Sequence, residues 1–232
     1  MQIARQIYGI HTAENALVFF RDGSSAYLTK RFDVKPQGGK WGKEDFASLA
    51  GKTKDNAGEH FKYDYSYEEI GLLIQQYVPA WWVEIEKYYA LVVFNFLFSN
   101  GDAHLKNFSL VETSTGDYML SPAYDLLDTR IHVDEESFFA LSGDLFKEWN
   151  WSDCRITNSQ HHPCKEDFTE FGKSIGINYN RVVKLLEPFL KEQHGVASLV
   201  SRSYLDDDTK ALYMGHYRER LAMLNLSGKQ PG

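Results

Sequence analysis

The chain has 232 residues, 43% hydrophobic and 25% charged, enough to bury a sizeable core as one globular domain or a large domain with a small appendage. With 15% aromatics and 6 prolines, extended disorder is excluded along most of the length, and a net charge of −7 argues against a protein whose main work is neutralising nucleic-acid phosphates. Two cysteines exclude a disulfide framework, no secretory pattern opens the chain, and the run "YYALVVFNFLF" is too short to span a membrane, so a cytoplasmic location is expected.

In chain order, "MQIARQIYGI" has helical spacing and breaks at Gly9. "ALVFFRDGSSAYLTKRF" holds two β-prone runs around Asp22-Gly23-Ser24, a hairpin signal. After Asp33 the composition changes: "VKPQGGKWG" reads as a connector, Lys43 to Leu49 as a short helix ended by Gly51, and "KTKDNAGEHFKYD" as an exposed loop. Ser66 followed by Glu69 forms a capping-box pattern that opens the helix "YEEIGLLIQQYV". Pro79 interrupts it, and a longer helix is predicted from about Trp82 to Phe98, stopped by Asn100-Gly101. "FSLVET", a turn at "STGDY" and "MLSPAYD" read as a β hairpin. A polar loop through Pro163 leads to helical patterns at "EDFTEFGKSIG", "YNRVVKLLEPFLKEQ" and roughly Asp206 to Leu226. No internal repeat is present.

The chemistry concentrates in "FSNGDAHLKNFSL". Asp102 and Asn107 stand five residues apart at the end of the apolar helix, and Asp125 follows eighteen residues later, a distance that two short strands and a turn would fold back on itself. Three oxygen groups converging in this way suit magnesium, a hard cation that takes oxygen ligands and keeps waters and substrate phosphates in its shell. Phosphoryl transfer from ATP needs a base for the attacking hydroxyl, metal on the phosphates and positive charge nearby. Asp102 is the candidate base and Asn107 and Asp125 the candidate metal ligands, while His104 or Lys106 would face the transferred phosphate. The order matches the kinase template of an Asp, an Asn five positions on and a later Asp, here in "AYDLL".

The strings "NGDAHLKNFSL" and "LSPAYDLL", with "YLTKRFD" before them and the "EDF...YSYEEI" region between, resemble the HipA-like serine/threonine kinases, toxin components of bacterial toxin–antitoxin pairs. The resemblance covers most of the chain. It implies an α+β, protein-kinase-like fold: residues 1–33 as the remnant of a β-containing N-lobe with hairpin and hinge, and residues 34–232 as a mainly helical C-lobe. It also implies Asp102 as proton acceptor, His104, Leu105, Lys106 and Asn107 as a nucleotide-contacting loop, and Tyr124-Asp125 as the second nucleotide and magnesium position. The backbone of Lys30, Arg31 and Phe32 would be the hinge that holds adenine. Family members carry a phosphate-binding loop and a strand lysine upstream of the segment corresponding to Met1, so this sequence is expected to be the C-terminal part of such a kinase. The partners implied are a protein substrate and a DNA-binding antitoxin or complementary N-terminal subunit, with growth inhibition as the outcome; neither direct nucleic-acid binding nor membrane attachment is expected.

Two other functions stay open. One is a catalytically incomplete, kinase-like binding module. The other is a lipid or small-molecule kinase, because Asp-x-His-x-x-Asn also resembles the catalytic loop of phosphoinositide kinases. "LAGKT" and "FGKSIG" resemble the end of a P-loop but lack the earlier glycine. Cys154, His161, His162 and Cys164 have zinc-ligand chemistry without zinc-ligand spacing and read as a surface loop with free thiols. Trp81-Trp82 and Tyr88-Tyr89 read as core packing.

Overall fold

The apolar run near the middle of the sequence becomes the central helix around which the other elements collect. The computed structural model describes residues 1–133, 137–148 and 162–226. Helix α1 (Gln2–Gln6) is followed by strands β1 (Asn15–Phe19) and β2 (Ser25–Thr29), an antiparallel pair with Leu17 opposite Tyr27. Their turn is the predicted one: Gly23 takes φ 85°, and Asp22 Oδ1 accepts hydrogen bonds from the backbone and hydroxyl of Ser24. This hairpin forms a two-stranded sheet of its own.

Strand β3 (Lys43–Asp45) precedes helices α2 (Phe46–Leu49) and α3 (Lys54–Ala57). The single helix expected over Lys43 to Leu49 is therefore split. Asp45 is extended, at ψ 160°, and its Oδ1 accepts from the Ser48 amide, so it is the helix cap; the residues before it pair with a later strand instead. The segment expected to be loop likewise contains α3, capped by Thr53 and Asn56.

Helix α4 (Tyr67–Tyr77) begins at the predicted capping box, with Ser66 and Glu69 satisfying each other's backbone amides. Helix α5 (Trp81–Leu97) is buried along most of its length, from Ile85 through Tyr88, Tyr89 and Phe96. Tyr88 and Tyr89 are core residues as expected, but Trp82, in the first turn, is 60% exposed. Strands β4 (Ser109–Glu112) and β5 (Tyr118–Leu120) form the predicted hairpin, and β3 completes a three-stranded antiparallel sheet on the far edge of β4.

Helices α6 (Lys165–Ser174), α7 (Tyr179–Leu186), α8 (His194–Ser201) and α9 (Asp207–Asn225) finish the described chain. Pro188 tightens the end of α7 into a 3₁₀ turn, and α8 is an element the sequence pattern did not announce. Aromatic contacts bind α6 and α9 to α5 and its C-terminal cap: Tyr217 stacks on Phe98 at 5.0 Å, Phe168 packs on Phe96 at 5.1 Å, and Phe171 meets Tyr89 at 5.9 Å.

The two P-loop-like strings have structural explanations. Gly51 closes α2 at φ 64°, and Gly172 lies in α6 where a Cβ would come within 2.6 Å of Val182. Cys154 and His161 lie outside the described residues. Cys164 is buried, contrary to the expected exposed thiol: its amide is capped by Asp167 Oδ2 at 2.8 Å, and burial raises its thiol pKa. Among the described residues no group of His, Cys, Asp and Glu could hold a metal by itself, and no helix is long and apolar enough to cross a membrane.

Candidate active site

The end of α5 is shaped to turn the chain sharply and hold it. Ser99 takes φ 53°, a left-handed conformation uncommon for a side chain with a Cβ, and the Asn100 amide returns to Asn95 O at 2.8 Å. The Asn100 side chain then joins two segments, donating to Asn95 Oδ1 (3.1 Å) and to the Asp125 carbonyl (3.2 Å). Thr129 adds a second tie, accepting from the Gly101 amide and donating to Ser99 O, each at 2.9 Å. Leu105 is fully buried and anchors the following 3₁₀ turn from below, while Tyr67 donates its hydroxyl to Ala103 O at 2.9 Å.

On this platform Asn107 Nδ2 donates to Asp125 Oδ2 at 2.7 Å, so the two residues eighteen positions apart meet directly. Asp125 itself sits at φ 57°. The Asn107 Oδ1 atom is buried and has no hydrogen-bond partner among the described residues. A buried, unpaired carbonyl oxygen is costly unless something completes its shell. An amide oxygen beside a carboxylate is a donor set that fits magnesium.

Asp102 lies on the same loop, half-exposed, with Oδ1 accepting from the Tyr63 hydroxyl at 2.8 Å and standing 3.9 Å from His104 Nε2. Both Asp102 and Asp125 act electrostatically on His104, which brings the two carboxylates to one imidazole. Burial holds that imidazole below its ordinary pKa against the pull of Asp102. His104 Nδ1 accepts from the Lys106 amide at 3.2 Å, which leaves the ring proton on Nε2, the atom facing Asp102. Tyr63 is kept protonated by burial, opposed by Lys62 and reinforced by Asp102.

A second wall adjoins this cluster. The Tyr124 hydroxyl bonds to Lys106 O at 2.8 Å and to Ser109 Oγ at 2.6 Å, and its ring stacks on Phe32 at 5.7 Å. Lys43 Nζ lies over both rings, 5.3 Å from Tyr124 and 5.9 Å from Phe32. Lys106 Nζ is 3.4 Å from Asp45 Oδ2.

The structure thus brings Asp102, His104, Asn107 and Asp125 together, with Lys106, Tyr124 and Phe32 alongside. The side chains of three other predicted residues have partners of their own, Lys30 with Glu14, Arg31 with Asp33 and Leu105 with the core, which leaves the backbone of Lys30 and Arg31 as the part relevant to a hinge. Tyr63, Lys43 and Thr129 adjoin the site without having been singled out from sequence, since each reaches it only through the fold, while Asn100, expected only as a helix stop, also ties the loop to Asp125. A cavity of about 330 Å³ lies against Asp102 and Gly101, bounded by Leu127, Thr129, Arg130 and His132. Another, of about 340 Å³, lies among Tyr8, Val83, Leu120 and Leu185 and contains none of the predicted site residues.

The HipA-like C-terminal domain family matches residues 1–196. A Haemophilus influenzae protein named as an inferred kinase is 27% identical over 237 residues, covering 97% of this chain and 68% of that protein. A Sinorhizobium fredii protein with the same kind of name is 36% identical over 118 residues, 50% of this chain and 27% of that protein. Among solved structures, Shewanella oneidensis HipA, determined with HipB and operator DNA, superposes with a TM-score of 0.65 at 19% identity, over 95% of this chain and 52% of that one. The Helicobacter pylori proinflammatory kinase CtkA gives 0.57 at 16% identity, over 95% of this chain and 80% of that one. The fold is kinase-like, and the chain spans about two thirds of the Haemophilus protein and about half of the Shewanella chain.

Proposed function

Because the chain belongs to the HipA-like C-terminal domain family, we propose that it is the catalytic lobe of an ATP-dependent kinase acting on a serine or threonine hydroxyl of a protein. The observation that carries this reading is the Asn107–Asp125 contact with its unpaired amide oxygen, on the same loop as Asp102. Asp102 accepts the proton as the substrate oxygen attacks the γ-phosphorus and the bond to the β-phosphate oxygen breaks. The Tyr63 hydroxyl, bonded to Oδ1, fixes the orientation of that carboxylate, and the His104 ring lies beside it. Asn107 and Asp125 would hold magnesium, which supplies charge neutralisation on the phosphates. Phe32, Tyr124 and Lys43 line the adjoining wall where the family resemblance puts the nucleotide, and the cavity beside Asp102 is the approach for the acceptor side chain.

A second reading is supported by the β1–β2 hairpin. Leu17, Phe19, Tyr27 and Leu28 are 43%, 50%, 56% and 53% exposed, and neither hairpin edge pairs with a further strand among the described residues. In this reading a complementary N-terminal polypeptide adds strands and phosphate-gripping groups to the hairpin, and transfer to a growth-inhibiting target requires it. An antitoxin partner is proposed by analogy with the HipA–HipB complex alone.

Calorimetry with MgATP and a phosphoryl-transfer assay separate the two, each run on the 232-residue chain with and without an upstream segment from a relative. Asp102→Asn in the transfer-competent protein is expected to reduce transfer by about 10²- to 10⁴-fold while nucleotide affinity stays within about twofold. Transfer at the wild-type rate by this variant would remove Asp102 from the mechanism.

A further inference from the structure

Helix α9 lies beyond the residues that the family matches, yet its side chains reach both segments that build the active site. His216 Nδ1 bonds to Asp128 Oδ2 at 2.8 Å, three residues after Asp125, and both partners are buried. One turn further along, Arg220 is fully buried with its guanidinium 4.4 Å from the Phe138 ring and 5.1 Å from Phe96, and its Nε donates to Ser99 Oγ at 3.4 Å. Glu219 accepts from Arg130 at 2.9 Å. Positions 216 and 220 share one face of the helix. Thus a single rigid element holds Ser99, the left-handed residue from which the Asp102 loop departs, and Asp128, which follows Asp125.

Full burial of an arginine carries a large desolvation cost, which argues against mere space-filling as its role. A buried cation bonded to the hydroxyl of a left-handed turn residue instead fixes that turn in one orientation. Resting on the kinase reading above, we infer that Arg220 and His216 are positioning residues: through Ser99 and Asp128 they keep the Asp102 loop and the Asn107–Asp125 pair in register for phosphoryl transfer. Neither touches the reacting atoms.

The test uses the full chain, in its transfer-competent form, with Arg220→Met and His216→Leu, which keep side-chain volume, and His216→Asn, whose amide nitrogen can still donate to Asp128. Both volume-preserving variants are expected to lower kcat by about 10- to 100-fold with KM for ATP changed less than about threefold, and His216→Asn to recover most of the rate. Hydrogen exchange should quicken by about tenfold at the amides of Asn100, Gly101 and Thr129 while those of α4 stay unchanged. A kcat within twofold of wild type in both variants, or exchange that quickens equally in α4, overturns the inference, the second because it marks a general loss of stability. If the wild-type protein transfers no phosphoryl group, the kinase reading falls and exchange alone decides: unchanged amides at 99–102 and 127–130 overturn the positioning role, and selectively faster ones uphold it.

Discussion

Two β hairpins in this chain share the same local signals and have opposite surroundings. The β4–β5 hairpin is flanked by β3, rests on α5, and carries Asn107 and Asp125 at its two ends; Leu110 and Leu120 are paired across it and both are buried. The β1–β2 hairpin has a well-formed turn and good register, but its cross-strand pair Leu17 and Tyr27 faces solvent. An isolated two-stranded hairpin is marginal in water, and this one is tied to the body by side chains such as Tyr204, packed on Phe19 at 4.6 Å, while its larger apolar residues stay about half exposed. The contrast teaches that a turn sequence specifies a hairpin, while its neighbours determine whether the hairpin can position chemistry.

The largest effect expected from breaking this contrast is at Phe108, between the catalytic loop and β4. Its buried ring packs edge-on against Tyr88 at 5.6 Å and Tyr67 at 6.1 Å, and its carbonyl accepts from the Phe46 amide. Phe108→Ala is expected to cost about 3–5 kcal/mol, a fall in melting temperature on the order of 10 °C by calorimetry. A fall of a degree or two would mean that the platform does not depend on this core.

Next comes Asn107→Ala, which removes the unpaired oxygen and the contact to Asp125 together. Magnesium dependence of nucleotide binding should weaken by about 10- to 100-fold, measured by titrating the metal at fixed ATP, with melting temperature little changed. Unaltered metal dependence would leave the Asn107–Asp125 pair as a structural tie.

His104 gives a smaller effect with a definite sign. Burial depresses its folded-state pKa from an ordinary value of 6.5, so the unfolded chain takes up the proton first as pH falls. The stability associated with the neutral ring is present above pH 6.5 and is lost progressively below it. In His104→Gln the fall of stability between pH 6.5 and pH 5 should be shallower than in wild type by denaturant titration, and an equal or steeper fall would contradict a buried neutral imidazole.

How far the fold and the site are legible in the sequence depends on the separation of the residues involved. The capping box at Ser66 and Glu69, the turn at Asp22-Gly23 and the body of α5 are local and stand where the pattern puts them. The spacing of Asn107 and Asp125 was legible because one hairpin connects them. Strand β3 was not, because Lys43-Glu44-Asp45 has no apolar alternation and is a strand only through pairing with Val111, Leu110 and Ser109. The Tyr63–Asp102 bond spans 39 residues and the His216–Asp128 bond spans 88, distances at which periodicity carries no information. Trp82 and Cys164 failed in opposite directions for one reason: residue type set the expectation, and position at a helix terminus set the outcome.

The smallest effect is the one that sharpens the comparison most. Leu17→Thr introduces a β-branched residue, suited to a strand, at a position that is 43% exposed and removes apolar surface there. The expected change is within about 0.5 kcal/mol, so the melting temperature of the chain alone should stay within about two degrees of wild type. In the presence of an upstream segment that restores nucleotide binding, the same substitution should weaken association, because the lost surface is then part of an interface. A large destabilisation of the chain alone would show that the first hairpin is already packed like the second. Equal stability with unchanged association would instead place any complementary segment away from β1.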